Sequence, residues 1–564
     1  MSLMDLGAAQ GRVETIHIDA PYVVNPLQAY KSLATQYSVL LESAEIDSKD
    51  NLKSLVLVDA ALRIECQKQN VTIEAVSENG ASLIDFLYEK LSDVVSKDTN
   101  SVCELKRNSQ SNDQDANIKT SGEHKTDSPY ICVYFSKPDA GLDEDSRLKA
   151  PSVFDVLRTI QTEIQALGEH PHAVFLGGVF AYDLLASFES LPDVPTGVNT
   201  CPDYVFYLAE TLILIDHQAQ KTEILGSVFS GQNIAQQYFD IQQRLEGIKH
   251  LLGDVKSVSV EASGSALTDF AHAGIHLSET SFEVDKSDQQ YCMDVLSLKE
   301  HILDGDIFQV VPSRSFSLPC PDPLLAYKRL KQTNPSPYMF FLQDNDFCIF
   351  GASPESALKY EIQSNQVEIY PIAGTRPRGK RPDGSIDVDL DSRLELNLQQ
   401  DEKEKAEHIM LVDLARNDVA KVSKPGTRCV KDLLKVDRYS HVMHLVSRVV
   451  GQLREDLDAL HAYQACMNMG TLVGAPKISA ASLIRQTEKC TRGSYGGAVG
   501  YLNGQGDFDT CIVIRSAFVK NQRAYIQAGA GVVKDSIAQM EADETRAKAQ
   551  AVIQAILSAN QAGA

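Results

Sequence analysis

Hydrophobic and polar positions alternate along several stretches of the chain. "KSLVLVDAALRIECQ" from Lys53 and "QNVTIEAVS" from Gln69 have the period-two pattern of paired strands, and "YVFYLAETLILIDHQ" with "KTEILGSVF" repeats it. Further on, "DIFQVVPSRSFSL" predicts a strand from Ile307, and "DFCIFGASPESAL" and "QVEIYPIAGTR" predict strands that end in turns. Near the C-terminus "GSYGGAVGYL", "TCIVIRSAFV" and "AYIQAGAGVV" are three strand-like runs. "NGQGD" and "KNQR" between them predict hairpin turns. The pattern turns helical in "DEKEKAEHIMLVDLARND", where Ile409, Leu411, Val412 and Leu414 are apolar and Asp401 and Glu402 suit the first turn. A last helix is expected from Met540 to Leu557. Strand pairs with helices outside a βαβ rhythm indicate an α+β fold, not a doubly wound sheet.

Two polar stretches interrupt this pattern. Ser96 to Ser128 has few large apolar residues and is expected to form a mobile surface excursion. Gly253 to Asp288 is rich in Ser, Asp and Glu and separates an N-terminal region, 1–250, from a C-terminal region, 285–560. No internal repeat is visible.

Charge narrows the function classes. The 564-residue chain carries a formal charge of −23, which repels nucleic acid and anionic membranes unless a local patch overrides it. No apolar run approaches the ~20 residues of a membrane span. The start, "MSLMDLGAAQGRVETIHID", has neither the basic nor the apolar segment of a secretory signal, so a cytoplasmic protein is expected. Eleven dispersed cysteines without a CxxC argue against a disulfide framework or a zinc site. There is no Trp.

Phosphate-loop, zincin and serine-hydrolase signatures are absent. "HVMH" puts His441 and His444 at helical i, i+3 spacing, without the companions a metal pair needs. Glu404 and Glu407 share one helix face, as do Glu541 and Glu544. Such faces are usually solvated, and Glu544 with Lys548 is an ordinary i, i+4 pair. However, the small-residue run "AGAGVVKDS" precedes the second pair and lets a ligand approach the backbone. One Glu from each helix suits a Mg²⁺ ion, which takes one or two protein carboxylates. Alternation puts Arg515 on the face of Cys511, Val513 and Ala517. An arginine there needs a carboxylate, from the protein or from a substrate.

Together, "PIAGTRPRG", "GASPES", "AEHIMLVDLARND", "KVDRYSHVMHLVSRV", "MNMGTLVGAPK", "RGSYGGAVGY", "DTCIVIRSA" and "QAGAGVVKDS…EADET" resemble the large subunits of anthranilate synthase. These are Mg²⁺-dependent chorismate-utilising enzymes. The resemblance runs from Leu40 to the C-terminal helix. It implies a large two-sheet, sandwich-like α+β fold with surrounding helices. It also implies the first committed step of tryptophan synthesis: chorismate and ammonia give anthranilate and pyruvate through 2-amino-2-deoxyisochorismate. An aminodeoxychorismate or isochorismate synthase, or a non-catalytic regulatory subunit, is the alternative.

By this resemblance Gly374, Thr375, Tyr495, Arg515 and the backbone of Gly529, Ala530 and Gly531 contact chorismate. Glu407 and Glu544 hold Mg²⁺, with Glu404 and Glu541 acting behind them or through water. Glu355 protonates the leaving hydroxyl and His444 serves the elimination. Arg376 and Arg378 either tie the loop down or meet substrate. Ala373 stands where aminodeoxychorismate synthases carry a nucleophilic lysine, and Gln309 where water-using relatives carry a lysine base. Both departures favour anthranilate synthase.

The resemblance further implies a separate glutamine amidotransferase subunit, since no amidotransferase motif is present, and a heterotetramer of two large and two small subunits. L-Tryptophan is the implied feedback inhibitor, held by Glu42 and Ser43 in "LLES" and by Pro337, Tyr338 and Met339 in "NPSPYM".

Overall fold

The computed structural model describes residues 6–7, 10–43, 52–96, 100–106, 129–139, 141–258, 282–381, 384–439 and 442–562. Most of the Ser96–Ser128 stretch, much of Gly253–Asp288, and His441 lie outside them.

Two long strands organise the molecule. Lys53–Gln67 and Tyr204–Asp216 pair antiparallel along their whole length, with irregular register between Leu57 and Leu62. Each changes its other neighbour at that irregularity. Lys53–Gln67 pairs first with Ser38–Glu42 and then with Asn70–Ala75. Tyr204–Asp216 pairs first with Phe175–Phe180 and then with Lys221–Phe229. Bulges bend strands and increase their twist. The shared pair thus joins two wings of one 23-stranded network.

One wing continues from Ser38–Glu42 through Tyr338–Gln343, Phe347–Ser353, Ser516–Lys520 and Arg523–Gly529 to Ser313–Pro319. The other continues from Phe175–Phe180 through Ala498–Asn503, Phe508–Ile512, Ser356–Glu361 and Gln366–Ile369 to Val442–Gln452. Both wings feed one core made almost entirely of strand side chains, including Val39, Leu57, Val179, Tyr207, Phe340, Ile349, Val499 and Phe518. Helices supply the other cores. The last helix, Ala538–Ala562, buries Ala549, Val552, Ile553, Ile556 and Ala559 at helical spacing against the helix Pro323–Thr333 and the strand Arg523–Gly529. Strands of the 1–250 and 285–560 regions therefore pair directly, and the α+β class stands.

Several local expectations need correction. "DIFQVVPSRSFSL" is broken at Val311–Pro312 into Gln309–Val310 and Ser313–Pro319, because Pro312 has no N–H for a ladder. "TCIVIRSAFV" is likewise two strands, Phe508–Ile512 and Ser516–Lys520, around a bend where Arg515 has φ +49°. Period-two alternation does not survive that bend: Cys511 and Val513 belong to the strand core, whereas Ala517 belongs to the helix-covered one. His444 lies on the strand Val442–Gln452, so helical spacing in "HVMH" does not apply. Asp401 caps the helix Glu402–Val422 from outside its first turn, accepting from the N–H groups of Lys403 and Glu404. Ile409, expected on the apolar face, is exposed.

Candidate active site

The stretch Ile372–Pro377 forms a strand beside Val442–Gln452, with a register shift between Ala373 and Thr375. Gly374 fills the shift at φ +71°, a conformation that favours glycine. A Cβ there would stand 3.1 Å from a Glu404 oxygen and from Leu398. The bulge places Thr375 opposite His444, whose Nδ1 lies 3.0 Å from Thr375 Oγ1 and 3.2 Å from the Gly374 carbonyl. A carbonyl only accepts, so Nδ1 carries the proton and Nε2 keeps its lone pair. Burial pushes the imidazole down to about 4, and Arg515 adds to that effect. The ring is neutral near pH 7 and rests edge-on against Tyr439.

The arginines of this loop face the protein. Arg378 forks onto Asp391 at 2.9 and 3.0 Å and reaches the Tyr439 carbonyl. Arg376 bonds Asp401, Asn397 and Glu404. Both tie the loop to neighbouring elements.

Glu355 follows the strand Phe347–Ser353 and is buried. Its backbone N–H donates to Ser353 Oγ, and its Oε1 accepts from the Thr471 hydroxyl at 3.1 Å. Burial pushes this carboxyl up to about 8, against smaller opposing effects from Thr471 and Lys548. It is a protonated acid at neutral pH.

Three further pieces converge. Gln309 is buried, with Nε2 3.5 Å from Glu407 Oε1 and Oε1 without a hydrogen-bond partner. A Cβ on Gly531 would come within 2.8 Å of Gln309 Nε2, so only glycine keeps this backbone close to the amide. The Tyr495 hydroxyl bonds the Gly529 backbone, and the Ala530 N–H donates to the Pro312 carbonyl. Arg515 has no carboxylate within ion-pair distance among the described residues. Burial pushes it down, while Glu544 and Tyr495 oppose that. A guanidinium so placed suits an anionic ligand.

Four carboxylates share this region. Glu407 is pushed up to about 7 by burial, then by the charges of Glu404 and Glu544. Glu541 is buried and also raised, chiefly by burial. Glu404 is held by Arg376, and Glu544 by Lys548 at 2.8 Å. Among the described residues no three His, Cys, Asp or Glu side chains form an enclosing metal site. Mg²⁺ does not require one, since water and substrate oxygens complete its shell. Mutually repelling oxygen donors beside an unpaired buried amide oxygen fit a hard cation.

Two partners carried no signal or a misleading one. Thr471 on Glu355 has none in "MNMGTLVGAPK". Lys548 reads as a surface partner of Glu544, yet its Nζ also donates to the Gly529 carbonyl at 3.0 Å. A separate groove of ≈ 880 Å³ includes Phe308 and Ala475, the residue before Gln309 and its strand partner, in its lining.

The residues expected to hold tryptophan also meet. Met339 pairs with Glu42, which brings Ser43, Pro337 and Tyr338 alongside. Glu42 is buried, accepts from the Tyr327 hydroxyl at 2.5 Å and is ion-paired with Lys331.

Residues 118–554 match the chorismate binding enzyme family. The chain is 54% identical over 551 residues to anthranilate synthase component 1 of Vibrio cholerae, covering 97% of each. It is 50% identical over 552 residues to that of Escherichia coli, covering 98% of each. The chain belongs to the chorismate-binding enzymes. The family's solved structures agree. Anthranilate synthase component I of Streptococcus pneumoniae is 28% identical with a TM-score of 0.59, covering 95% of this chain and 99% of that one. The menaquinone-specific isochorismate synthase of Escherichia coli, at 16% identity and TM-score 0.59, covers 97% of this chain and 95% of its own and shares the fold. The α+β arrangement is thus that of the chorismate-binding enzymes.

Proposed function

We propose that the chain is the chorismate-converting component of an anthranilate synthase, forming anthranilate and pyruvate from chorismate and ammonia for tryptophan synthesis. The observation that carries this reading is the combination of a protonated buried acid, Glu355, and a neutral buried imidazole, His444, with a buried arginine, Arg515, that has no carboxylate at ion-pair distance among the described residues.

Arg515, Tyr495, Gly374, Thr375 and the Gly529–Gly531 backbone hold the substrate dianion. Ammonia adds at C2, and Glu355 gives its proton to the departing C4 hydroxyl, which leaves as water. His444 Nε2 then takes the C2 proton as the C3–O bond breaks and the ring becomes aromatic; the departing enolpyruvate takes up a proton at its methylene carbon to become pyruvate. Glu407 and Glu544 would hold Mg²⁺, supported by Glu404 and Glu541. When bound, the ion would supply charge neutralisation for the anionic substrate. Gln309 cannot deprotonate water as an amine base could, and Ala373 cannot attack, which favours ammonia as the nucleophile.

Ammonia would come from a glutamine-hydrolysing component, a partner that the relatives' designation "component 1" supports. Two of each would form the assembly. A cytoplasmic setting suits the eleven free cysteines. Tryptophan would bind at Glu42, Ser43, Pro337, Tyr338 and Met339. Tyr338 pairs with Ser353, whose hydroxyl accepts from the Glu355 backbone N–H, a short path by which a ligand there would reach the segment carrying the acid. A typical coupling of ~1–3 kcal/mol would weaken chorismate binding ~5–150-fold.

Incubation with chorismate, Mg²⁺ and ¹⁵N-ammonium tests the reaction. The expected product is ¹⁵N-anthranilate; isochorismate or a 4-amino product would refute it.

A further inference from the structure

We propose that Arg492, with Glu488, is a positioning residue that aligns three walls of the catalytic site from behind; this rests on the reading of the site given above. Arg492 and Glu488 are both buried, with side chains 2% and 4% exposed. Arg492 Nε donates to Glu488 Oε2 at 2.9 Å. Its Nη1 donates to the Leu472 carbonyl at 2.9 Å and its Nη2 to the Val311 carbonyl at 2.7 Å. Each bond reaches an element that carries a site residue. Leu472 follows Thr471, which bonds Glu355. Val311 lies two residues after Gln309. The guanidinium also lies 5.6 Å from the Tyr495 ring centroid, with Tyr182 at 4.6 Å.

Glu488 extends the hub to a third wall. Its Oε1 accepts from both the N–H and the hydroxyl of Ser313, at 2.8 and 2.7 Å. Ser313 pairs with Gly529, where the substrate-facing backbone run begins. A planar fork is needed to span Leu472, Val311 and Glu488 together, which an ammonium cannot do. A buried ion pair costs desolvation and is weak grounds for stability alone. Here its bonds run to the residue after the acid's partner, to the Gln309 segment and, through Glu488, to the strand that pairs with Gly529.

Arg492→Lys keeps the charge and loses the fork. It should lower kcat/KM for chorismate at least about tenfold. Arg63→Lys alters another buried pair, with Asp344, and should lower the melting temperature comparably while leaving kcat/KM at the parent value. Ser313→Ala removes one hydroxyl without adding bulk and should raise the chorismate KM, and Ser313→Thr should restore it. The proposal is overturned if Arg492→Lys and Ser313→Ala keep parental KM and kcat, or if activity falls only with the unfolded fraction. Absence of anthranilate from the parent chain would instead overturn the reading of the function.

Discussion

Glu355→Gln separates two consequences of one buried acid. The carboxyl is raised from 4.5 to about 8, first by burial. The folded state therefore keeps a proton that the unfolded chain releases above its own, ordinary value. Stability from this group is fully present below about pH 4.5 and is lost progressively as pH rises to about 8. The slope is ~1.4 kcal/mol per pH unit inside that window. The neutral amide has no such dependence. Between pH 5.5 and 7.5 the variant should gain roughly 2–3 kcal/mol on the parent. For a chain this long, at ~1.2 kcal/mol per kelvin of unfolding entropy, that is a relative rise in melting temperature of about 2 °C. Melting of both proteins at the two pH values reads this directly. Over the same range kcat should fall ~10²–10⁴-fold in the variant, the usual worth of a positioned acid. The parent's kcat should decline above about pH 8 as the acid ionises. A melting difference that stays constant with pH would refute the raised carboxyl, and a variant with parental kcat would refute its role.

His444→Met should still consume chorismate but release 2-amino-2-deoxyisochorismate, followed by chromatography; anthranilate at the parent rate would remove His444 from the elimination. Arg515→Gln should raise the chorismate KM by about 10–100-fold, as loss of a charged bond costs roughly 1.5–3 kcal/mol; an unchanged KM would detach Arg515 from substrate. Glu407→Gln should weaken Mn²⁺ binding in titration calorimetry and abolish turnover; parental Mn²⁺ affinity would move the metal elsewhere. Ser43→Phe should leave an active enzyme that tryptophan no longer inhibits, and unchanged inhibition would misplace that pocket.

Period-two and helical patterns revealed most strands and both carboxylate-bearing helices, because burial on one face leaves a regular trace in sequence. The pattern failed where tertiary demands broke the period. Pro312 split one expected strand, and the left-handed bend at Arg515 split another and changed the face that follows. Gly531 was recognisable as a close-approach position from its small-residue run, whereas Gly374 came only from the family resemblance. Thr471 and the Gly529 bond of Lys548 were not recognisable, since each joins segments far apart in sequence. Arg376 and Arg378 looked capable of meeting an anion, yet Asp401, Glu404 and Asp391 engage them. The desolvation that raises Glu355 and lowers His444 comes from the assembled fold, and no local motif announces it.

The central claim is tested most directly by supplying the purified chain with chorismate, Mg²⁺ and excess ammonium near pH 8, where Glu355 still keeps much of its proton. Anthranilate is followed by fluorescence and pyruvate by a coupled reductase. The account predicts the two products in equal amounts, with none formed when ammonium is omitted. Pyruvate without anthranilate, or chorismate consumed without either product, would contradict it.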